Sequence, residues 1–172
     1  MATVASTTYG TYTALTVTNL QSLAIDTSDP FAGWQSDRVS NLSTQALDYE
    51  VVFTLPMAAT APANDSTVYF YVVPWVTTDG GTTWIPGGNF GTTTEPTGSE
   101  GTASISDPNS MKGPLGFPYK ITSQKIEGYF TIAQLCGGVV PDAWSLAFRD
   151  NCGAALSTSC VVSYRPITYT ST

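Results

Sequence analysis

The sequence predicts an all-β protein: a single antiparallel β-sandwich, jelly-roll-like, with an immunoglobulin-like sandwich as the alternative. Three observations carry this. Apolar residues recur with a period of two rather than 3.6. Glycine, proline and Asx clusters separate the apolar runs at irregular intervals. No helical stripe longer than two turns appears in the 172 residues. The buried Cys–Trp–Cys pattern of immunoglobulin domains is absent, which places the jelly roll first.

Residues 1–14 read as an N-terminal arm ahead of one β-sandwich domain spanning 15–172. The stretch 2–11 is polar, with Tyr9 its one large group, and reads as an arm that adds to the sheet edge of a neighbouring subunit. Strands are expected at 12–18 and around 34–39. In 47–55 the odd positions Leu47, Tyr49, Val51, Phe53 and Leu55 are all apolar, which predicts a half-buried antiparallel strand with these side chains on one face. Residues 67–76 are apolar on both faces, so this strand is central and covered on both sides. Pro74 then forces a bulge or an edge exit. Asp79-Gly80-Gly81 supplies the positive φ of a tight turn into 82–85 and marks the clearest hairpin. Residues 86–118, rich in Gly, Pro, Thr and Ser, lack periodicity and are too long for an ordinary connection. They read as a functional loop or a flap laid over a neighbour. Further strands are expected at 118–124, 127–133, 143–149 and 159–169.

Composition restricts the chemistry. Only 19 residues are charged, none is histidine, and about a quarter are Ser or Thr. Without histidine the usual general base and the commonest metal ligand are missing, so no enzyme is expected and no cofactor. The carboxylate pairs Asp26/Asp29 and Asp48/Glu50 read as a turn and as exposed strand positions rather than a glycosidase pair. Calcium ligation by Asp26, Asp29, Asp65, Asp150 and Asn151 is the weaker reading, because no compact loop gathers three of them. A sugar-stacking platform of Tyr69, Tyr71, Trp75 and Trp84 is weighed against their role as sheet core, and core is favoured. The six Lys and Arg are scattered singly and the net charge is −7, so neither nucleic acid nor membrane is an expected partner. The N-terminus lacks a basic region followed by an apolar run, so it does not read as a signal peptide, and synthesis in a cytoplasm is expected. In that compartment Cys136, Cys152 and Cys160 are expected as free thiols, with a Cys152–Cys160 bridge as the alternative. The motifs at Asn41 and Asn64 that match glycosylation sites read as chance. Tyr9, Tyr12, Phe90, Met111, Leu115 and Phe117 are the expected interface residues, as apolar tips of the arm and the long loop.

The order of several short motifs adds a resemblance. Trp34-Gln35-Ser36 with Val39 and Asn41 is followed by Leu47-Asp48, then by Val68-Tyr69-Phe70-Tyr71 leading into Asp79-Gly80-Gly81-Thr82-Thr83-Trp84. Gly137-Gly138-Val139-Val140-Pro141-Asp142-Ala143-Trp144 and Gly153-Ala154-Ala155-Leu156 complete the series. In this order they resemble small structural proteins encoded among the head genes of tailed bacteriophages. The resemblance implies a non-enzymatic virion component, a capsid decoration or cement protein on the capsid exterior. Its implied partners are the major capsid protein and further copies of itself, as a homotrimer. The three cysteines and the segment 86–118 depart from that pattern. A head-fibre, neck or tail subunit is the alternative within the virion, and a carbohydrate-binding module the alternative outside it.

Overall fold

The computed structural model describes residues 5–24, 31–58, 67–87, 96–105, 111–119 and 124–171. Among them are twelve strands: β1 (Ala5–Tyr9), β2 (Thr13–Ala14), β3 (Phe31–Gln35), β4 (Val39–Ser40), β5 (Asp48–Pro56), β6 (Thr67–Val76), β7 (Ile85–Pro86), β8 (Gly101–Ile105), β9 (Lys112–Pro118), β10 (Lys125–Thr131), β11 (Ala143–Asn151) and β12 (Val161–Ser171). One helical turn, α1 (Ile132–Leu135), follows β10, its N-terminus capped by the Thr131 hydroxyl.

Two antiparallel sheets face each other. Sheet I runs β1-β12-β5-β10, with β2 also on β12; sheet II runs β7-β6-β11-β3-β8, with β4 on β11 and β9 on β6. The chain changes sheet at β2 to β3, β4 to β5, β5 to β6, and at each step from β9 to β12. Its first strands therefore lie beside its last, in facing orders β2-β12-β5-β10 and β3-β11-β6-β9. This is the doubly wound Greek-key order of a jelly roll. An immunoglobulin-like order would keep the first two strands of the sandwich side by side in one sheet, whereas β2 and β3 lie in opposite sheets.

The core follows from period-two patterning. Along β5 burial alternates strictly, with Tyr49, Val51, Phe53 and Leu55 turned inward. Facing them are Val68, Phe70 and Val72 of β6 and Trp144, Leu146 and Phe148 of β11. Phe53 and Phe70 centre an aromatic cluster with ring centroids 4.7 Å apart, joined by Phe117, Phe130 and Phe148. Offset and edge-on contacts of this kind add to area burial.

Two prolines occupy interior strands without breaking them, for one shared reason. Pro74 lies where the neighbour of β6 changes from β9, paired along 67–72, to β7, paired at 75–76. Pro166 lies where the neighbour of β12 changes from β2 at 163–164 to β1 at 167–171. At such seams the missing N–H costs no ladder bond. Gly10 closes the second seam: its N–H donates to the Pro166 carbonyl at 2.9 Å, and a Cβ there would meet the proline ring at 2.7 Å.

Several expectations are corrected. The segment 86–118 is not a strand-free loop: it contributes β8 and β9, whose Gly and Pro content hides their periodicity. The strand expected at 118–124 falls earlier, at Lys112–Pro118, and residues 120–123 lie outside the described residues. The strand expected at 34–39 is split into β3 and β4, with one extra residue opposite β11 between pairs 35↔147 and 39↔144. There the Ser36 hydroxyl accepts from the Leu146 N–H at 2.8 Å, replacing a backbone partner. Only Thr13–Ala14 of the strand expected at 12–18 pairs. The arm expected to reach a neighbouring subunit instead pairs, as Ala5–Tyr9, with the chain's own β12. Leu47 precedes β5 and is exposed rather than inward.

Candidate interaction surface

The outer faces of the two sheets differ. On sheet II the residues alternating with the core form a second buried cluster of Tyr71, Val73, Trp75, Ala143 and Ala147, closed over by Met111 and by the half-buried Trp84. The extra residue between β3 and β4 turns Arg38 to this side, where its guanidinium lies 5.2 Å from the Trp75 ring and 4.5 Å from the Trp84 ring. Burial lowers the Arg38 pKa. Its backbone N–H donates to the Gly98 carbonyl at 2.9 Å, fastening the incoming chain. Trp75 Nε1 donates to the Ser145 hydroxyl at 2.9 Å, so the buried indole is satisfied.

On sheet I the corresponding face is open. Register sets its rows: Tyr129, Val52 and Ser163 lie side by side, then Thr131, Glu50 and Arg165, then Asp48, Ile167 and Tyr9. Tyr129 is 71% exposed, Tyr169 58%, Tyr9 54% and Val161 52%. Four tyrosines share this face with five charged residues, and four of the five charges are neutralised in pairs, while Asp48 accepts from two backbone N–H groups. Lys125 meets Glu127 at 2.6 Å and Arg165 meets Glu50 at 2.9 Å.

The centre of this face is Arg165. Its Nε donates to Glu50 Oε1 at 3.0 Å, and its guanidinium lies 4.5 Å from the Tyr9 ring and 4.6 Å from the Tyr12 ring. Tyr12 reaches it because the chain leaves the sheet at the Pro166 seam and returns at Thr13. The Tyr12 hydroxyl also donates to Glu50 Oε1, and this hydrogen bond is the first cause raising its phenol pKa above 10.0. The cluster ties β1, β2, β5 and β12 together and leaves outward ring faces of Tyr9 and Tyr12 in solvent.

The expected interface residues separate accordingly. Tyr9 and Tyr12 lie on the open face. Met111 is buried against the sheet II cluster rather than exposed. Leu115 and Phe117, on β9, pack half-buried against the main core, Phe117 edge-on to Phe53 at 4.7 Å. The expectation of exposed tips fails for Leu115 and Phe117 because β9 is a strand paired to β6, and for Met111 because it precedes that strand and packs on the outer cluster of sheet II. Phe90 lies outside the described residues. Of the stacking platform, Tyr71 and Trp75 are buried, and Arg38 occupies the space over Trp75 and Trp84. Tyr129, Val161, Arg165 and Tyr169 were missed by sequence reasoning. In β12, apolar residues fall on both parities, so alternation alone does not say which face is open.

Of the acids considered for catalysis or calcium, Asp26, Asp29 and Asp65 lie outside the described residues. Asp48 Oδ1 accepts from the N–H groups of Tyr49 and Ala133. Asp150 is fully buried and its Oδ1 accepts from the Cys152 N–H at 2.9 Å, while Oδ2 has no partner among the described residues. Burial raises its pKa from 3.8 to about 6. Cys136, Cys152 and Cys160 are free thiols, and burial, with the charge of Asp150 second, raises those of Cys152 and Cys160. Raised thiol pKa values make poor nucleophiles. No three His, Cys, Asp or Glu gather among the described residues, and no described helix is long and apolar enough to cross a membrane. No family model and no curated protein matches the chain.

Proposed function

We propose that this chain is a non-enzymatic structural protein of a tailed-phage virion, a decoration or cement protein that docks on the outside of the capsid lattice through the open face of sheet I. The observation that carries the proposal is the contrast between the faces: one is closed by the chain's own residues, while the other displays Tyr9, Tyr129, Val161 and Tyr169 around neutralised ion pairs. Exposed apolar area of this kind marks a contact surface, and Tyr is enriched where proteins meet. Few unpaired charges on the face keep the desolvation cost of docking low. The motif order described above supplies the virion context, with the major capsid protein as partner and no ligand or metal needed.

A carbohydrate-binding reading is favoured by the same tyrosines, whose exposed rings and hydroxyls suit a neutral glycan. Incubating the protein with capsids assembled without it, followed by imaging, separates the two. The proposal expects regular density on the capsid exterior and no signal on a glycan array. Protein found on the tail, or off the particle, overturns it in favour of a head-fibre, neck or tail subunit.

A further inference from the structure

The sheet edges of this molecule are not treated alike. Natural sheets protect their edges with charge, proline, bulges or very short strands, because an open row of N–H and C=O groups recruits another strand. Edge strand β10 carries Lys125, Glu127 and Gly128; β7 ends in Pro86; β9 carries Lys112, Pro114 and Pro118. Edge strand β8 opens on a glycine, and its continuation lies outside the described residues. In contrast, β1 reads Ala-Ser-Thr-Thr-Tyr, with no charge, no proline and no glycine over five residues, where the other uncharged outer strands β2 and β4 are two residues long, and among the described residues nothing pairs with its outer side.

Its outward groups can be assigned. Gly10 donates to Pro166 O in the register that pairs Thr8 with Thr168 and Ser6 with Thr170. In antiparallel ladders hydrogen-bonded pairs alternate with non-bonded ones, so Ser6 and Thr8 bond inward to β12. Ala5, Thr7 and Tyr9 then direct their N–H and C=O groups away from the sheet. These three positions are symmetric about Thr7.

We propose that two copies of this chain pair β1 to β1, antiparallel about a twofold axis through Thr7, forming one continuous sheet. Thr7 then faces Thr7 of the other copy, and Ala5 faces Tyr9 of the other copy. Each of these pairs exchanges both of its backbone bonds, and no like charges meet. A twofold axis at a hydrogen-bonded pair stands normal to the sheet, so both open faces point the same way and double the area presented to one partner. The geometry thus favours a dimer over the trimer that the resemblance implies, and it stands whether or not the open face meets a capsid.

Sedimentation equilibrium across a concentration series tests the pairing. The chain should weigh twice its 18.2 kDa. Thr7→Lys and Thr7→Glu each set like charges opposite one another and should weaken the dimer by about tenfold or more. An equimolar mixture of the two should recover it as the mixed species. Thr7→Pro, which removes an outward N–H without touching the β12 ladder, should also give monomers. A monomeric wild type, a trimer, a dimer indifferent to these substitutions, or a mixture that fails to reassociate overturns the proposal.

Discussion

Each outer face of the sandwich carries one arginine between two aromatic rings, and the two arginines do different things. Arg38 sits between Trp75 and Trp84 with no ion pair among the described residues, and its backbone fastens connecting chain over sheet II through Gly98. Arg165 sits between Tyr9 and Tyr12 with Glu50 as its ion partner, and it fastens the N-terminal strands to sheet I while the face around it stays open. The same cation–π contact is worth roughly 2 kcal/mol when desolvated and about half that or less when exposed. Both arginines are half-buried, so what separates them is the acid partner each has and the segment of chain each fastens.

The sharpest way to break this comparison is a truncation on each face. Trp75→Ala should cost about 3–5 kcal/mol in denaturant unfolding, because it opens a cavity under Trp84 and strands the Ser145 hydroxyl. Tyr129→Ala, on a residue 71% exposed, should change stability by no more than about 0.5 kcal/mol. Equal losses at the two positions would mean that the faces are not differently covered.

Asp150 tests the interior behind sheet II. Its folded pKa of about 6 lies above the ordinary 3.8, so between those values the native state keeps a proton that the unfolded chain has lost. Stability should fall as pH rises through that window, by at most about 3 kcal/mol. In Asp150→Asn this slope should flatten, as read from unfolding midpoints between pH 4 and 7. A slope unchanged in the variant would assign the effect to another group.

The arginines come next in size. Arg38→Ala should destabilise the fold by about 1–2 kcal/mol. Arg165→Ala should cost less globally, about 1 kcal/mol, since its ion pair is only partly buried. Its larger effect should be local, as faster hydrogen exchange at β1 and β2 than at β5. Uniform exchange across sheet I would show that Arg165 does not hold those strands.

How much of this was legible follows the strength of each local pattern. From Tyr49 to Leu55 every odd position is apolar and only Val52 breaks the polar set between them, and β5 and its inward face are as expected, as is the double-sided burial of β6. The glycines at the Asp79 turn take φ of 71° and 100°, which only their side-chain freedom makes easy. By contrast, β9 is written in glycine and proline, which signal loops, and the pairing that makes it a strand comes from β6, distant in sequence. Trp75 and Trp84 read as either core or platform until the path of the chain over sheet II decides it. On the open face only Tyr9 and Tyr12 were legible. Tyr129 and Tyr169 depend on sheet order, which no local pattern contains.

The central claim, that the open face of sheet I docks on a capsid, is tested most directly by co-sedimentation with capsids assembled without this chain. Wild type and a Tyr129→Ala/Tyr169→Ala variant of matching thermal stability are compared at equal concentration. The account predicts saturable binding by the wild type and a loss of at least about tenfold in the variant, as removal of central aromatic anchors produces at other interfaces. Equal binding by the two proteins, or no binding by either, would contradict it.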